Sequence, residues 1–335
     1  MYLKKLGVFE PLLSLSKFLQ MPLNSFIFRF MPFSISRFYI ILLGSIYYLF
    51  NWKEKALIRE TIRYVFKEKL PSLILRQKIK KAFMGIFDHY HEKMFVGYSN
   101  FPKLLSFLKK RVKFAGEEQL QRALKEGKGV ILVTGHFGAV EMLPGILALN
   151  GYPTSMICRF QTTRLRKTLR KRAEAVGLRL IDADEGNIVL TALRDLKQGR
   201  ILITEIDEFD EWRPHRYRDS HFLSCQFPSD RTLELLQKRS GGQVVLALVN
   251  REGKKRYTCR LTAVDNGTFS PSTSLSERCL AVLENMVENY PDQWYQWKKF
   301  GKMIESQLAG HSKAKKSEHP EPEIGQPLLT QAYFG

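Results

Sequence analysis

The sequence is poor in cysteine, and its few cysteines exclude two kinds of stabilised fold. They form no C-x-x-C pair and no compact spacing, so neither a disulfide framework nor a zinc site is predicted. No small-x-small cleavage site follows an apolar stretch, and a signal peptide is therefore not predicted. These absences indicate a reduced protein that faces the cytosol. The four cysteines are Cys158, Cys225, Cys259 and Cys279.

The apolar stretch near the N-terminus is short for a membrane span. Residues 38–52 (FYIILLGSIYYLFNW) are uncharged, which gives about 15 residues, whereas a spanning helix needs roughly 20. Tyr47, Tyr48 and Trp52 suit the interface between lipid and water. We predict an interfacial or re-entrant membrane anchor here, with a buried core helix as the alternative.

Acidic residues are scarce relative to basic ones. The chain has 33 Asp and Glu against 53 Lys and Arg, a net charge of +20. Such a surface favours polyanions, namely nucleic acid, anionic lipid headgroups or an acidic protein. Within the basic helical stretch before residue 110, His89 and His91 lie two residues apart. Because such positions diverge on a helix, we expect them to decorate a surface and not to form a metal pair.

Short apolar runs alternate with amphipathic stretches from residue 128 onwards. This alternation predicts an α/β fold, a mainly parallel central sheet flanked by helices, with an N-terminal membrane-associated helical segment. The strands are predicted at Val130–Thr134, Thr154–Cys158, 178–182, 201–207, 244–249 and 256–264, and the helices at 139–149, 162–176, 186–198, 229–239 and from a capping box at Ser274 to about Asn289. The predicted regions are an apolar membrane anchor (1–52), a basic helical segment (53–127), the α/β core (128–304) and a disordered tail (305–335).

The most informative motif is GHFGAVE, in which His136 follows a predicted buried strand. Gly135 and Gly138 allow a tight turn there, and Glu141 completes an H-x4-E pattern. Positions five apart on a regular helix point about 140° away from each other, so the pair can meet only if His136 lies in the turn before the helix. A carboxylate on one ring nitrogen would leave the other free as a general base. The alternatives are a helix cap beside a solvated charge, or a metal site, which the lack of H-E-x-x-H disfavours.

A basic arm follows the next predicted strand. Arg159 should lie at the same sheet edge as His136, where its guanidinium could bind a phosphate or an oxyanion. Beyond it, a helix turns its cations outward, towards an anionic bilayer or an acidic carrier protein. A merely solvated basic face is the alternative. The cations of this helix are Arg164, Arg166, Lys167, Arg170, Lys171 and Arg172.

These motifs resemble one family. GHFGAVE resembles the G-H-x-G-N-W-E block of the lipid A biosynthesis late acyltransferases, the lauroyl and myristoyl transferases, and KFAGEEQLQRALKEGKGVILVTGHFG, ICRF, RDLKQGRILITEID and YPDQWYQWKKF follow the family's order over about residues 30–300. The resemblance implies fatty acyl transfer, usually from acyl carrier protein, to a glycolipid hydroxyl at the cytoplasmic face of the bacterial inner membrane. It also implies that His136 is the base, Glu141 its partner, and Arg159 and Asp207 the family's arginine and aspartate.

The chain departs from the family pattern at several positions. Ala139 and Val140 replace the common Asn-Trp pair, and Glu208 stands where glutamine is usual. Cys225-Gln226-Phe227 replaces a phenylalanine-glycine pair. In the closing segment, Gln296 and Lys298 replace residues that are often histidine or arginine. These departures bear on the identity of the acceptor more than on the chemistry.

The predicted reaction is attack of a lipid hydroxyl on an acyl thioester. His136 takes the proton, and backbone N–H groups after Gly138, with Arg159 behind them, stabilise the oxyanion. No cofactor and no metal are needed; acyl carrier protein or coenzyme A carries the co-substrate. The predicted partners are anionic membrane lipids, acyl carrier protein, and a glycolipid or phospholipid acceptor.

Two alternatives remain. One keeps the acyltransferase and changes the acceptor to a lysophospholipid, an ornithine lipid or a mannosyl lipid. The other is a basic nucleic-acid-binding protein, suggested by the charge. The apolar N-terminus, and the lack of aromatic residues interleaved with the basic helix for base stacking, disfavour nucleic acid as a partner.

Overall fold

The computed structural model describes residues 15–318 apart from 161, 210–212, 254, 265–268 and 271. A helical layer occupies the N-terminal third. Pro22 and Pro102 lie in the first turns of two of its helices, where a missing N–H is harmless. The helices are α1 (Leu15–Leu19), α2 (Pro22–Phe30), α3 (Phe33–Phe50), α4 (Trp52–Phe66), α5 (Ser72–Tyr98) and α6 (Phe101–Arg111).

A seven-stranded sheet forms the centre of the molecule. The strand order is β1-β9-β8-β2-β5-β3-β4, and the neighbours are parallel except for the antiparallel pair β8–β9. A separate hairpin, β6–β7, precedes β8. The strands are β1 (Val112–Ala115), β2 (Val130–Thr134), β3 (Thr154–Cys158), β4 (Arg179–Asp182), β5 (Ile201–Glu205), β6 (Pro214–Phe222), β7 (Cys225–Asp230), β8 (Gln243–Arg251) and β9 (Tyr257–Ala263).

Helices pack around this sheet, so the predicted α/β class is confirmed. β2 lies between β8 and β5, and all five of its residues are buried, which explains its uninterrupted apolar sequence. The helices are α7 (Glu117–Lys125), α8 (Leu143–Leu149), α9 (Thr163–Glu174), α10 (Ile188–Lys197), α11 (Thr232–Ser240), α12 (Leu275–Asn289) and α13 (Trp297–Glu318).

Two of the predicted boundaries are wrong. The sheet begins at β1, inside the region 53–127 that was assigned to helices, because Val112–Ala115 pairs in parallel with β9. At the other end, α13 continues to Glu318, so residues 305–318 are helical where disorder was predicted. Residues 1–14 of the anchor and 319–335 of the tail lie outside the described residues.

Helix α3 packs against the protein on one face only. Among the described residues it is the one helix long and apolar enough to cross a membrane, and a third of it is buried. One face packs on α5, where Arg37 forms an ion pair with Asp88 at 2.5 Å. The other face exposes a row of large apolar side chains spaced three or four residues apart, which argues against the core-helix alternative. This exposed face of α3 consists of Ile35, Phe38, Leu42, Ile46, Leu49 and Phe50.

The parallel strands end at a common sheet edge. The carboxyl ends of β2, β5 and β3 lead directly into His136, Asp207 and Arg159. In open α/β sheets this edge is where ligands bind. The fold therefore brings together residues that are separated by as many as 71 positions in sequence.

Candidate active site

Asp207 holds His136 through both its backbone and its ring. The main-chain N–H of His136 donates to the two carboxylate oxygens of Asp207 at 3.1 and 2.9 Å, and ring Nδ1 lies 2.9 Å from Oδ1. Trp294 donates its indole N–H to the other oxygen at 2.7 Å. Asp207 is fully buried. The acid therefore fixes the orientation of the imidazole and places a proton on Nδ1.

The second ring nitrogen of His136 faces two more carboxylates. Nε2 lies 3.1 Å from Oε1 of Glu208 and 3.4 Å from Oε2 of Glu205. Lys299 forms an ion pair with Glu208 on its far side. Glu205, Glu208 and Lys299 all line the large cavity that opens beside the histidine.

The charges of this cluster are strongly coupled. Burial lowers the pKa of His136, but the carboxylates of Glu205 and Asp207 outweigh it and raise the pKa well above the ordinary histidine value. Burial raises the pKa of Glu205 to about 7. Glu208 is also partly desolvated, yet its hydrogen bond with His136 lowers its pKa to about 2. At neutral pH the unliganded site thus holds an imidazolium between carboxylates.

Glu141 contacts α5 and not His136. Its Oε1 lies 3.1 Å from Nζ of Lys93 and 3.7 Å from Nε2 of His89. No hydrogen bond or ion pair joins Glu141 to His136 in the part of the chain that the structure describes. The residues after the motif's second glycine form a short 3-10 helix, Val140–Met142, which turns the carboxylate towards α5. The predicted His136–Glu141 pairing is therefore wrong, although both side chains line the same cavity.

His89 is buried, contrary to the surface position predicted for it. Its side chain is 1% exposed, and neither ring nitrogen has a hydrogen-bond partner. It stacks on Tyr295 with 3.3 Å between ring centroids, and Tyr295 meets the ring of His136 edge-on at 4.9 Å. Burial lowers the pKa of His89 well below its usual value, so it is neutral. His91 is buried too, and contacts Oγ of Ser36 at 2.9 Å.

Gly138 is a packing position and not an oxyanion donor. Its N–H donates to the carbonyl of Gln293 at 2.7 Å, and the next N–H, of Ala139, donates to Val249 at 2.8 Å. The amides of Gly138 and Ala139 are thus already hydrogen-bonded within the protein and are not free to stabilise an oxyanion. With φ of +60°, a methyl group at this position would lie 1.8 Å from the carbonyl oxygen of Val249. Arg251 donates to the carbonyl of Gly138 at 2.6 Å.

Arg159 lies at the cavity rim, at the sheet edge where it was predicted. Its Nε donates to Asp184 at 3.1 Å, and its side chain is about half exposed. It lines the same cavity as His136. This placement is compatible with an anion-binding role, which stays a prediction.

Most of the basic arm is neutralised by the protein itself. Arg166 and Arg170 pair with Asp182 and Glu185. Arg172 turns inward and donates to the carbonyls of Val96 and Ser99 at the C-terminal end of α5, where a cation is favourable. The prediction that helix α9 turns its cations outward therefore holds for only part of the set. Its exposed cations are Arg164, Lys167 and Lys171.

The cavity has two chemically different parts. Its volume is about 1010 Å³, which is large enough for a long aliphatic chain. The polar part holds His136 and the groups around it. The apolar part extends between α6, α8, α9 and the neighbouring strands, and its lining includes Leu104, Leu108, Met156, Leu165, Leu169, Ala173, Val176 and Leu180.

Several site residues could not be found from the sequence. Glu205 and Glu208 flank the predicted Asp207 in the run TEIDE, and this acidic run at a strand end was the available signal. Nε2 of His136 and the carboxylates of Glu205 and Glu208 lie within 4.8 Å of one another, the spacing of a possible metal site. The ammonium of Lys299 already neutralises Glu208 there, which disfavours a second cation. Trp294 lies in the closing segment YPDQWYQWKKF that resembles the family, although nothing there indicated its contact with Asp207, and Tyr295 gave no signal.

One comparison with known proteins identifies a family. The family model described as "Bacterial lipid A biosynthesis acyltransferase" matches residues 21–299, which is most of the chain. No curated protein sequence gives a significant match. The matched range includes His136, Asp207, Trp294 and the exposed face of α3.

Proposed function

The chain belongs to the bacterial lipid A biosynthesis acyltransferase family, and on that premise we propose that it transfers a fatty acyl chain from a thioester to a hydroxyl of a lipid A-type glycolipid. The donor is acyl carrier protein, or alternatively coenzyme A. One observation carries the proposal: an imidazole held by a buried acid faces an apolar cavity of about 1010 Å³. This arrangement places a proton acceptor beside a compartment for the acyl chain.

The donor binds with its acyl chain in the apolar part of the cavity. Burying each methylene there contributes about 0.8 kcal/mol, so the chain supplies most of the binding free energy. The thioester carbonyl then lies beside His136. The thiol portion of the donor extends to the rim, where Arg159 and the exposed cations of α9 can attract an acidic carrier protein.

Proton transfer requires a rearrangement of the charged cluster. The acceptor hydroxyl displaces Glu208 from Nε2 of His136, and the proton on Nε2 passes to Glu205, whose pKa of about 7 suits it to receive one. Asp207 keeps the proton on Nδ1. The neutral ring then removes the hydroxyl proton as the oxygen attacks the thioester carbon, and later gives a proton to the departing thiolate. The products are an ester and a free thiol.

The tetrahedral oxyanion needs a cationic or N–H donor. Because the amides of Gly138 and Ala139 are committed, we assign this role to side chains that line the cavity. Lys93, held by Glu141 at 3.1 Å, and Arg159 are the candidates. Glu141 then acts through Lys93, as a positioning residue. The reaction as proposed uses no metal and no cofactor beyond the acyl donor.

We place the reaction at the cytoplasmic face of the bacterial inner membrane. The exposed face of α3 offers an apolar surface to lipid, and Phe26 and Phe30 of α2 are exposed as well. The helices over residues 15–52 act as a monotopic anchor, and the ion pair of Arg37 with Asp88 ties the inner face of α3 to α5. A lipid acceptor could then enter the cavity without leaving the bilayer surface.

The test is an assay of the full chain with acyl carrier protein carrying a radiolabelled acyl group and with a lipid A-type acceptor. His136→Ala should lower turnover at least about 100-fold, because a general base contributes roughly 10²- to 10⁴-fold. His221→Ala changes an exposed histidine of β6 and serves as the matched control. Lysophospholipid, ornithine lipid and mannosyl lipid are offered in parallel. If the enzyme acylates one of these lipids faster than the lipid A-type glycolipid, the proposed acceptor is wrong. Full activity of His136→Ala would contradict the proposed mechanism.

A further inference from the structure

A second cavity lies among the N-terminal helices. Its volume is about 520 Å³, and it opens between α3, α4 and α5. It shares no lining residue with the catalytic cavity. The proposed acyl transfer makes no use of it.

Two helices direct a row of cations into this second cavity. Lys55, Arg59 and Arg63 follow one another at intervals of four along α4, and Arg76 and Lys80 do the same on α5. Residues four apart lie on one face of a helix, and like charges at that spacing repel. The cations are therefore gathered on one side of two helices at a cost in helix stability.

Acidic neighbours do not neutralise this group. Arg63 pairs with Glu60 at 2.6 Å, but within the described ranges Lys55, Arg59, Arg76 and Lys80 form no ion pair. None of the residues that line the cavity is acidic. The arginines of α9 are different, since Arg166 and Arg170 are both matched by carboxylates of the protein. The second cavity is therefore suited to bind an anionic ligand.

The floor of this cavity is apolar. Tyr48, Ile79 and Phe87 are buried beneath it, and Phe83 and Met84 are half-buried along its wall. A simple inorganic anion would contact the cationic rim and leave the floor unfilled. Cations around an apolar floor match a ligand that carries an anionic group on hydrocarbon chains.

The opening adjoins the exposed face of α3. Leu49 belongs to both the second cavity and the exposed face of α3, since it lines the cavity and is 70% exposed. Its neighbours Ile46 and Phe50 are exposed in the same row. A lipid lying in the bilayer can therefore reach the cavity directly. This continuity favours a membrane lipid over a soluble acidic protein as the occupant.

We propose that the second cavity binds one anionic phospholipid from the membrane. The phosphate contacts the guanidinium groups of Arg59 and Arg76, with Lys55 and Lys80 beside them. One acyl chain lies on the apolar floor. Together with the exposed face of α3, this lipid fixes how the protein is rotated at the bilayer surface. The site is separate from catalysis and goes beyond the proposed function.

The test measures lipid binding by the full chain in solution. The probe is dihexanoylphosphatidylglycerol below its critical micelle concentration, which removes any contribution from a bilayer. The comparison ligands are dihexanoylphosphatidylcholine, with the same chains and no net charge, and sn-glycerol 3-phosphate, with the anion alone. Titration calorimetry should show that the phosphatidylglycerol binds at least about tenfold more tightly than either.

The decisive variant combines Arg59→Glu with Arg76→Glu. It should weaken binding of the phosphatidylglycerol at least about tenfold, since each cation near an anionic lipid contributes a several-fold attraction. The control, Lys238→Glu with Arg239→Glu on α11, makes the same change of charge at exposed positions outside both cavities and should bind like the unaltered chain. Acyl transfer in detergent micelles should be retained in both variants, which reports an intact fold.

Three results would overturn the proposal. Equal binding of glycerol phosphate means a simple anion site, and equal binding of the phosphatidylcholine means an unselective apolar groove. The third result is that acyl carrier protein displaces the bound lipid, and that Arg59→Glu with Arg76→Glu abolishes this displacement. The cavity would then be a binding site for the carrier protein.

Discussion

At the scale of single residues, the partner of His136 shows the limit of sequence reasoning. The histidine was found because it follows a buried apolar strand between two glycines. Its acid was predicted five positions away, yet the carboxylate that contacts ring Nδ1 is that of Asp207, 71 positions away. Sequence spacing reports local geometry only. It contains no signal that β5 pairs with β2 and brings Asp207 to His136.

Glu208 provides a test of the charge cluster at this scale. Its carboxylate lies 3.1 Å from Nε2 of His136 and helps to hold the ring as an imidazolium. In Glu208→Gln this negative charge is lost, so the pKa of His136 falls. A base must be deprotonated to act, so activity rises with pH through that pKa. The rising limb of kcat/KM should therefore move to lower pH.

The pH profile of the Glu208→Gln variant needs one control. Asp219→Asn removes a carboxylate from an exposed position of β6, and its profile should match that of the unaltered enzyme. A rising limb that stays in place in Glu208→Gln would mean that Glu208 does not tune His136. A shift of the rising limb to higher pH would contradict the expectation that Glu208 raises the pKa of His136.

At the scale of elements, the sequence predicted those that are defined by their own composition. The limits of β2 and β3 agree with the predicted strands residue by residue. For β2 the reason is that a central strand buried on both faces is almost uniformly apolar. The capping box at Ser274 likewise marked the start of α12. The hairpin β6–β7 and the four-residue β1 were missed. Their sequences contain charged residues and lack a continuous apolar run that would indicate a buried strand.

Helix α9 should limit the length of the transferred acyl chain. Ala173 is buried and faces the apolar part of the cavity, so Ala173→Leu places three additional carbons there. We expect the preferred acyl chain to become shorter by about two methylenes, with a several-fold loss of activity on the original donor. Mass spectrometry of products formed from a mixture of acyl carrier protein thioesters measures this change.

The residue that follows this helix supplies the control. Ala175 is exposed and does not line the cavity, so Ala175→Leu adds an equal volume to solvent. Its product distribution should stay as in the unaltered chain. An unchanged distribution in Ala173→Leu would place the acyl chain elsewhere in the cavity.

At the scale of the whole molecule, charge and apolar surface act together. In the proposed membrane association, the net charge of +20 would give long-range attraction to an anionic bilayer, and the exposed face of α3 would give the short-range contact. Composition alone predicted the first, but could not show which face of residues 33–50 remains uncovered. That depends on how α3 packs on α5, which only the folded chain reveals.

Membrane binding therefore depends on the exposed face of α3. Phe38 and Leu49 are 68% and 70% exposed, so replacing both with serine should not disturb the core. Co-sedimentation with vesicles should weaken about tenfold or more, because each large apolar side chain buried in lipid contributes about 1.5–3 kcal/mol. Activity on acceptor dispersed in detergent should change little.

Tyr217 offers a matched control for the membrane experiment. It is 90% exposed on β6, away from α3, so Tyr217→Ser removes an aromatic surface without touching the anchor. Vesicle binding should be unaffected. Equal loss in both proteins, or no loss in the Phe38 and Leu49 variant, would argue against α3 as the membrane contact.

The hydrogen bond from Trp294 to Asp207 has a consequence for biosynthesis. The indole that holds the acid is encoded 158 positions after the histidine that the acid orients, close to the end of the matched family range. Translation proceeds from the N-terminus, at about 5–20 residues per second. A nascent chain on the ribosome can therefore expose the apolar face of α3 to lipid well before the Trp294 indole stabilises Asp207 and the His136 ring. On the proposed function, the chain would contact the membrane first and become competent for chemistry only when synthesis is nearly complete.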